Sequence, residues 1–378
     1  MSASLFVFAG GGTGGHLFPG IAVAAALKQL QPDSRFVFAG SGRTIEQSIL
    51  REAGFETLTL AVPSLASARR HPLRFLRGHF ADWSVARRLI GKEAPAAVIG
   101  LGGLASLAVS SAAIRRRVPV VLLEQNVIPG RATRRLSRRA VVCSSFDETA
   151  KHLPNAQQIR FTGNPLRPEI ANARPASPND IAKRNTLLIL GGSQGSRQVN
   201  EAVLEAARQA AKRPAAEPLR NWNVIHQTGP TDAESVRAAW QSLGISAIVK
   251  PFFNDLPAQY MKAALVVSRS GATTLAELAC LGLPSILIPY KHARDDHQTS
   301  NAAVFQKAGA ARLIDPRSAD FSKQLEESLT DLVADPAQRE AMSNCCSVLA
   351  RRDAADTVAS VILQKAGLQT SGQPSQGD

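Results

Sequence analysis

Cysteine is scarce in this chain of 378 residues. There are four, two of them adjacent at Cys345 and Cys346, without metal-ligand spacing or the density of a disulfide framework. That excludes a disulfide-stapled scaffold and fits a reducing compartment. Aromatic residues make up 5 % of the chain, which leaves few platforms for stacking bases, and no nucleic-acid-binding motif occurs. No basic segment precedes the first apolar residues, so no signal peptide is expected. Long uncharged apolar runs are also missing. The stretch Ala96–Ile114 comes nearest, but Gly100, Gly102, Gly103 and three serines interrupt it. A strand, a glycine turn and a small-residue helix describe it better than a membrane span. No Asp-x-Asp occurs anywhere. A diphosphate would therefore rest on helix dipoles and glycine N–H groups, not on a carboxylate-held Mg²⁺.

Acidic residues are in deficit, 30 against 44 Lys and Arg, for a formal charge of +14. Such a balance favours an anionic partner, either a phospholipid surface or a phosphorylated substrate once nucleic acid is set aside. Hydrophobic content of 44 % and charged content of 20 % describe a globular protein long enough for two cores. Apolar runs recur at Leu5–Ala9, Phe36–Ala39, Ala97–Gly100, Val118–Leu123 and Ala140–Cys143. A second set runs Thr186–Leu190, Asn223–His226, Ala247–Val249, Leu265–Ser268 and Ser285–Ile288. Continuous apolar strands alternating with helical segments predict an α/β fold of two doubly wound parallel sheets. Polar, proline-containing sequence from Gly163 through Asn185 is the expected linker region, and 368–378 an expected disordered tail.

Each set opens the same way. Leu5–Ala9 runs into Gly10-Gly11-Gly12-Thr13-Gly14-Gly15-His16, and Thr186–Leu190 into Gly191-Gly192-Ser193-Gln194-Gly195-Ser196. A glycine loop between strand and helix lets the backbone approach a phosphate closely. Neither loop has the spacing of a P-loop or of a clean dinucleotide fingerprint. A third loop, Ser268 to Thr274, offers N–H groups and hydroxyls, with Glu277 one turn further on. Glu277 suits ribose hydroxyls, and Thr274-x-x-Glu277 equally suits a helix capping box. Polar residues crowd Lys291 to Asn301 after the strand at Ser285, where His292, Asp295, Asp296 and His297 make only a poor metal set. In the segment 68–92, Leu73, Leu76, Phe80 and Trp83 recur at helical spacing among Arg69, Arg70, Arg74, Arg77, Arg87, Arg88 and Lys92. Both an interfacial surface against anionic lipid and a core helix with a solvated basic face account for that pattern.

Taken together, the first glycine loop, Glu124-Gln125-Asn126, Gly163-Asn164-Pro165-Leu166-Arg167, the second glycine loop, Arg269-Ser270-Gly271-Ala272 and Asp296-His297-Gln298-Thr299-x-Asn301 occur in order. This ordered set resembles the MurG family of glycosyltransferases over residues 5–365. The resemblance implies a GT-B fold of two Rossmann-like domains facing a cleft. One domain would comprise 1–165 plus a returning helix near 345–366, the other 166–344. The implied reaction is inverting, metal-independent transfer of N-acetylglucosamine from UDP-GlcNAc to lipid I, forming the β-1,4 linkage of lipid II. It would occur at the cytoplasmic face of the inner membrane, with no cofactor.

By the same resemblance, donor binding falls to Thr13, Gly14, Gly15, Asn126, Arg167, Ser193, Phe253, Ala272, Thr273, Thr274, Leu275, Ala276, Glu277 and Gln298. Glu277 would hold the ribose, the Ser193 and Ala272–Thr274 group the diphosphate, the Phe253 backbone the uracil, and Gln298 the sugar. Leu73, Arg74, Leu76, Arg77, Phe80 and Trp83 would form the membrane and acceptor patch. His16 is the candidate base for the acceptor hydroxyl, with a structural role in its loop as the alternative. Two positions depart from the family. Leu123 stands where it usually has His, and Leu104 where it has Tyr. They leave open a related enzyme acting on another lipid or small acceptor; a non-catalytic nucleotide-sugar binder at the membrane would be favoured only if His16 and Asn126 were dispensable.

Overall fold

The computed structural model describes residues 3–11, 14–62, 71–192, 195–212 and 217–369. The predicted runs form strands at nearly the predicted places. They are joined by three strands that carry no apolar run: β3 (Glu56–Thr59), β7 (Gln158–Phe161) and β13 (Ala311–Leu313). All three lie at sheet edges, where one side lacks a neighbouring strand and the side chains stay partly exposed. The remaining strands are β1 (Leu5–Ala9), β2 (Arg35–Gly40), β4 (Ala97–Gly100), β5 (Val120–Glu124) and β6 (Val141–Ser144) in the first sheet. The second holds β8 (Thr186–Leu190), β9 (Asn223–Gln227), β10 (Ala247–Lys250), β11 (Leu265–Ser268) and β12 (Ser285–Leu287). Strand order is β3-β2-β1-β4-β5-β6-β7 in one sheet and β10-β9-β8-β11-β12-β13 in the other, and every pairing is parallel. Both follow the doubly wound order in which the first strand of the set lies inside the sheet.

The first unit comprises Met1–Arg167 and Arg352–Asp378, and the second Pro168–Arg351. The return to the first unit thus begins at Arg352, not near 345. Residues 345–348 instead finish the helix Pro336–Val348, whose buried Met342 and Cys346 belong to the second unit. Part of the expected linker is likewise structured. Pro178–Lys183 is a helix capped by Ser177, with Ile181 fully buried. The expected tail lies outside the described residues from 370 onward.

Strand alternation divides the first unit's core between two faces. Phe6 and Phe8 enter one apolar cluster and Leu5, Val7 and Ala9 the other. Register places Phe6 against Phe36 and Phe8 against Phe38, and the rings stack at 5.7 and 4.7 Å. The helix Ala354–Ala366 covers that aromatic face with Val358, Ala359, Ile362 and Leu363.

In the second unit, two buried polar groups tie the layers together. The Arg339 guanidinium donates to the carbonyls of Leu332 (2.6 Å), Val333 (3.0 Å) and Ala182 (2.5 Å), and lies 4.9 Å over the Trp222 ring. The fully buried His226 accepts from Trp240 Nε1–H at 3.1 Å through Nδ1 and donates through Nε2 to Asn200 Oδ1 at 3.1 Å. Asn200 in turn donates to Asp232 at 2.9 Å. A proton on Nδ1 would break the Trp240 bond, and burial pushes the ring's pKa down to about 3.

Between pH 6.5 and about 3 the unfolded chain binds a proton at His226 that the folded chain refuses. This group's contribution is therefore complete above pH 6.5 and is lost as pH falls, by up to about 1.4 kcal/mol per pH unit. Urea midpoints measured near about pH 7.5 and about pH 5 should diverge less in His226→Gln than in the parent. Equal divergence would contradict the assignment.

Candidate functional site

In the first sheet β1 pairs with β2 on one side and β4 on the other, so consecutive loops diverge at its carboxyl end. Doubly wound sheets open a crevice at that point. The loops after β1, β4 and β5 meet there. Gly10 has φ +126°, and a Cβ on it would stand 2.6 Å from the Gly102 carbonyl oxygen. Gly11 has φ +144°, and its Cβ would meet the Glu46 carboxylate at 2.6 Å. Glu46 is 3 % exposed, accepts from Ser41 Oγ at 2.7 Å and also presses against Gly40. A negative group against this backbone works against a phosphate, although the glycine pattern suggested one. Thr13 lies outside the described residues. The helix starts at Gly14, so Gly14, Gly15 and His16 form its first turn.

His16 is half-buried and its Nδ1 lies 3.0 Å from Gln125 Oε1. Gln125 reaches it from the turn after β5, and the neighbouring Glu124 holds that turn. Its buried carboxylate accepts from the N–H groups of Asn126 (3.1 Å) and Gly130 (2.9 Å). The Asn126 carbonyl is held by Thr149 Oγ at 3.1 Å. Gln125 Nε2 is buried without a hydrogen-bond partner among the described residues, which costs about 1–3 kcal/mol. Arg167 lies 5.2 Å over the ring of Phe18, on the helix that carries His16.

The basic apolar segment forms the helix Pro72–Glu93. Leu73, Leu76 and Phe80 are 82, 61 and 66 % exposed. Trp83 departs from the expected set. It packs on the apolar core, and Arg87 and Arg115 each lie 5.6 Å over its ring. Arg77 is exposed, and the Arg74 side chain is outside the description. Asp82 pins the preceding chain by accepting from Ala61 N–H (2.6 Å) and Val62 N–H (2.9 Å). Among the described residues no helix is long and apolar enough to cross a membrane.

In the second sheet β8 lies between β9 and β11, and the loops after β8 and β11 diverge in the same way. Ser196 caps the helix Arg197–Ala210 through Val199 N–H at 3.2 Å, and Ser193 lies outside the described residues. The helix Ala272–Leu281 starts differently. Its N-cap is Gly271, which has no side chain and so makes no side-chain cap bond. Thr274 is already the third helical residue, and the capping box with Glu277 does not form. Glu277 is 5 % exposed and accepts from the Tyr260 hydroxyl at 2.9 Å. Leu275 is fully buried and its N–H closes the first helical bond to Gly271, so it serves the core, while Ala276 is half-buried.

Other expected groups are committed elsewhere. The buried Ser270 hydroxyl donates to the Gln298 carbonyl at 2.8 Å, which removes it from the phosphate-binding set. Gln298 Oε1 accepts from Tyr290 N–H at 2.9 Å. Phe253 N–H donates to Gln227 Oε1 at 3.0 Å, and Gln227 Nε2 donates to the Gly192 carbonyl at 3.3 Å, linking the glycine loop to the Phe253 backbone. Arg269 lies 4.6 Å over Tyr290, and its burial lowers its pKa. Asp296 pairs with Arg317 at 3.1 Å, and among the described residues no group of three or more His, Cys, Asp or Glu converges to hold a metal ion. Sequence reasoning missed Glu46, Tyr260 and Gln227 as site-forming residues. Each acts through a partner distant in the chain, and no local spacing signals it.

Residues 6–142 match the glycosyltransferase family 28 N-terminal domain and residues 186–358 the glycosyltransferase family 28 C-terminal domain. Over 365 residues the chain is 36 % identical to the UDP-N-acetylglucosamine–N-acetylmuramyl-(pentapeptide) pyrophosphoryl-undecaprenol N-acetylglucosamine transferase of Desulfotalea psychrophila, covering 94 % of this chain and 95 % of that protein. The transferase of the same description from Syntrophus aciditrophicus is 36 % identical over 337 residues, covering 88 and 90 %. The crystal structure of Acinetobacter baumannii MurG superposes with a TM-score of 0.77 at 26 % identity, covering 96 and 99 % of the two chains.

Gly102 tests the crowding around His16. Its φ is +100°, and a Cβ would stand 3.3 Å from His16 Cε1 and Nδ1, whereas Gly103 (φ +79°) has nothing within 4 Å. Both alanine variants should lose about 1–3 kcal/mol of stability from backbone strain. Gly102→Ala should lose more in thermal unfolding and should also displace the His16 ring signals in NMR spectra. Identical behaviour of the two variants would show that the ring is not confined there.

Proposed function

The chain belongs to glycosyltransferase family 28 and, within it, to the N-acetylmuramyl-(pentapeptide) pyrophosphoryl-undecaprenol N-acetylglucosamine transferases, and from that premise we propose how its residues divide the work. It transfers N-acetylglucosamine from UDP-N-acetylglucosamine to lipid I, the pyrophosphoryl-undecaprenol-linked acceptor, and so forms lipid II for peptidoglycan.

The donor occupies the second unit in this proposal. What supports it is a helix N-terminus whose N-cap is a glycine, beside a buried carboxylate one turn further on. The N–H groups around Ala272, Thr273 and Thr274, together with Ser193, stabilise the diphosphate as it leaves, because the helix dipole places positive charge there. Glu277, oriented by Tyr260, accepts from the ribose hydroxyls. Gln227 occupies the Phe253 N–H, so Phe253 meets the uracil through its carbonyl oxygen, which suits the ring N3–H. Gln298 offers its amide N–H groups to the sugar, since its Oε1 is engaged by Tyr290.

The acceptor side belongs to the first unit, with Gly14, Gly15, His16 and Asn126 at the carboxyl ends of β1 and β5. In an inverting step the acceptor hydroxyl attacks the anomeric carbon, its proton passes to His16 Nε2, and the bonding pair departs on the UDP diphosphate. The supporting observation is that Gln125 engages Nδ1 and leaves Nε2 as the nitrogen to receive the proton.

A labelled UDP-N-acetylglucosamine donor and a short-chain lipid I analogue should give the disaccharide product, whereas transfer only to another acceptor would overturn the acceptor assignment. His16→Ala should lower kcat by about 10²–10⁴-fold while UDP affinity stays within about two-fold. An equal loss of both would remove His16 from the base role.

The exposed Leu73, Leu76 and Phe80 among arginines support peripheral docking on an anionic membrane surface, at the cytoplasmic face of the inner membrane in this proposal. Leu76→Glu with Phe80→Glu should weaken sedimentation with vesicles containing anionic lipid and leave UDP binding unchanged. Unaltered vesicle binding would place the docking surface elsewhere.

A further inference from the structure

We propose that Gln125 is a positioning residue for the transfer. Its side-chain oxygen holds His16 with the hydrogen on Nδ1, so that the lone pair of Nε2 faces the acceptor hydroxyl. This rests on the reading of His16 as the base. Gln125 Oε1 can only accept, so the 3.0 Å contact with Nδ1 exists only when that nitrogen carries the proton. The ring is confined as well as oriented, since the Gly102 backbone leaves only glycine-sized space beside Cε1 and Nδ1.

The amide is a poor choice for packing. Gln125 is 4 % exposed, and its Nε2 is buried with no partner among the described residues. An unbranched apolar side chain would fill the same volume without leaving a donor unsatisfied. The contact with His16 is what the polar group contributes. The turn that presents it is built separately, by Glu124 accepting from Asn126 and Gly130.

Charge explains why an amide, and not a carboxylate, stands there. The charged groups on the neighbouring elements are Glu46 against Gly11, Glu124 in the β5 turn and Arg167 over Phe18, and none is hydrogen-bonded to the imidazole. A neutral acceptor sets the tautomer without adding negative charge beside the ring. The proton taken from the acceptor hydroxyl is then held less tightly and is returned to solvent after the UDP diphosphate has left with the bonding pair.

The test uses the full-length protein with UDP-N-acetylglucosamine and a lipid I analogue. Gln125→Met should unfold at the same temperature as the parent or higher, keep UDP affinity, and lower kcat about 10–100-fold, as the loss of a partner orienting a histidine does elsewhere. Gln125→Glu should recover most of the rate and move the acid limb of the kcat/KM profile up by about one pH unit. In the parent, ¹⁵N shifts of His16 should show hydrogen on Nδ1. A Gln125→Met rate within about two-fold of the parent would overturn the proposal. So would hydrogen on Nε2, or a Gln125→Glu profile that does not move. His16→Ala measured alongside separates the two ideas. Full activity there removes the base reading itself, whereas an inactive His16→Ala beside an active Gln125→Met removes only the role of Gln125. Should Gln125→Met fail to fold, the Gln125→Glu profile and the parent's ¹⁵N shifts still decide.

Discussion

A parallel strand buried on both faces must be apolar along its whole length, and its loops carry whatever polarity the sheet needs. That constraint governs both units. β1 and β8 lie inside their sheets, and each has a neighbour on either side. Their side chains are consumed by packing, as the stacked Phe6, Phe8, Phe36 and Phe38 show. Chemistry is left to the carboxyl ends, where the chain turns away in opposite directions and backbone N–H groups point outward. His16, Gly102 and Gln125 gather at one such end, and Gly271 and Glu277 sit at the other.

Two of the strand–loop–helix junctions, after β1 and after β11, nevertheless differ in what lies against them. In the first unit Glu46 lies under the glycine run and opposes an anion. In the second, the helix after β11 starts at a glycine with no side chain to cover its first turn. In the proposed division of work, one such junction would take the sugar acceptor and the base, and another the diphosphate. The difference comes from residues outside the glycine pattern.

Stability and function draw on the same kind of group with different results. His226 and Arg339 are buried polar side chains whose partners join strands and helices, and they serve the second unit's architecture. Gln125 is buried with half of its hydrogen bonding unmet among the described residues, and its satisfied half meets the His16 imidazole. A buried polar group left incomplete is costly, and among the described residues Arg339 Nε carries the same cost in the second unit. On the surface the Pro72–Glu93 helix divides its apolar residues in a comparable way. Trp83 anchors it to the core, while Leu73, Leu76 and Phe80 remain outward.

Much was legible in the linear chain, because continuous apolar strands, glycine turns and ordered short motifs are local signals. The two parallel sheets, the repeated openings, and the family with its donor and acceptor all follow from them. The edge strands β3, β7 and β13 were not legible, since half-exposed strands need no apolar run and are recruited by a neighbour already in place. The return of the chain at Arg352, the engagement of Ser270 and of the Phe253 N–H, and the absence of the Thr274 capping box likewise depended on where helices begin and which atoms meet. The His16–Gln125 contact spans 109 residues of sequence. Its two ends carry no spacing that links them. Only the parallel order β1-β4-β5 brings the exits of those strands side by side, and with them the imidazole and the amide that orients it.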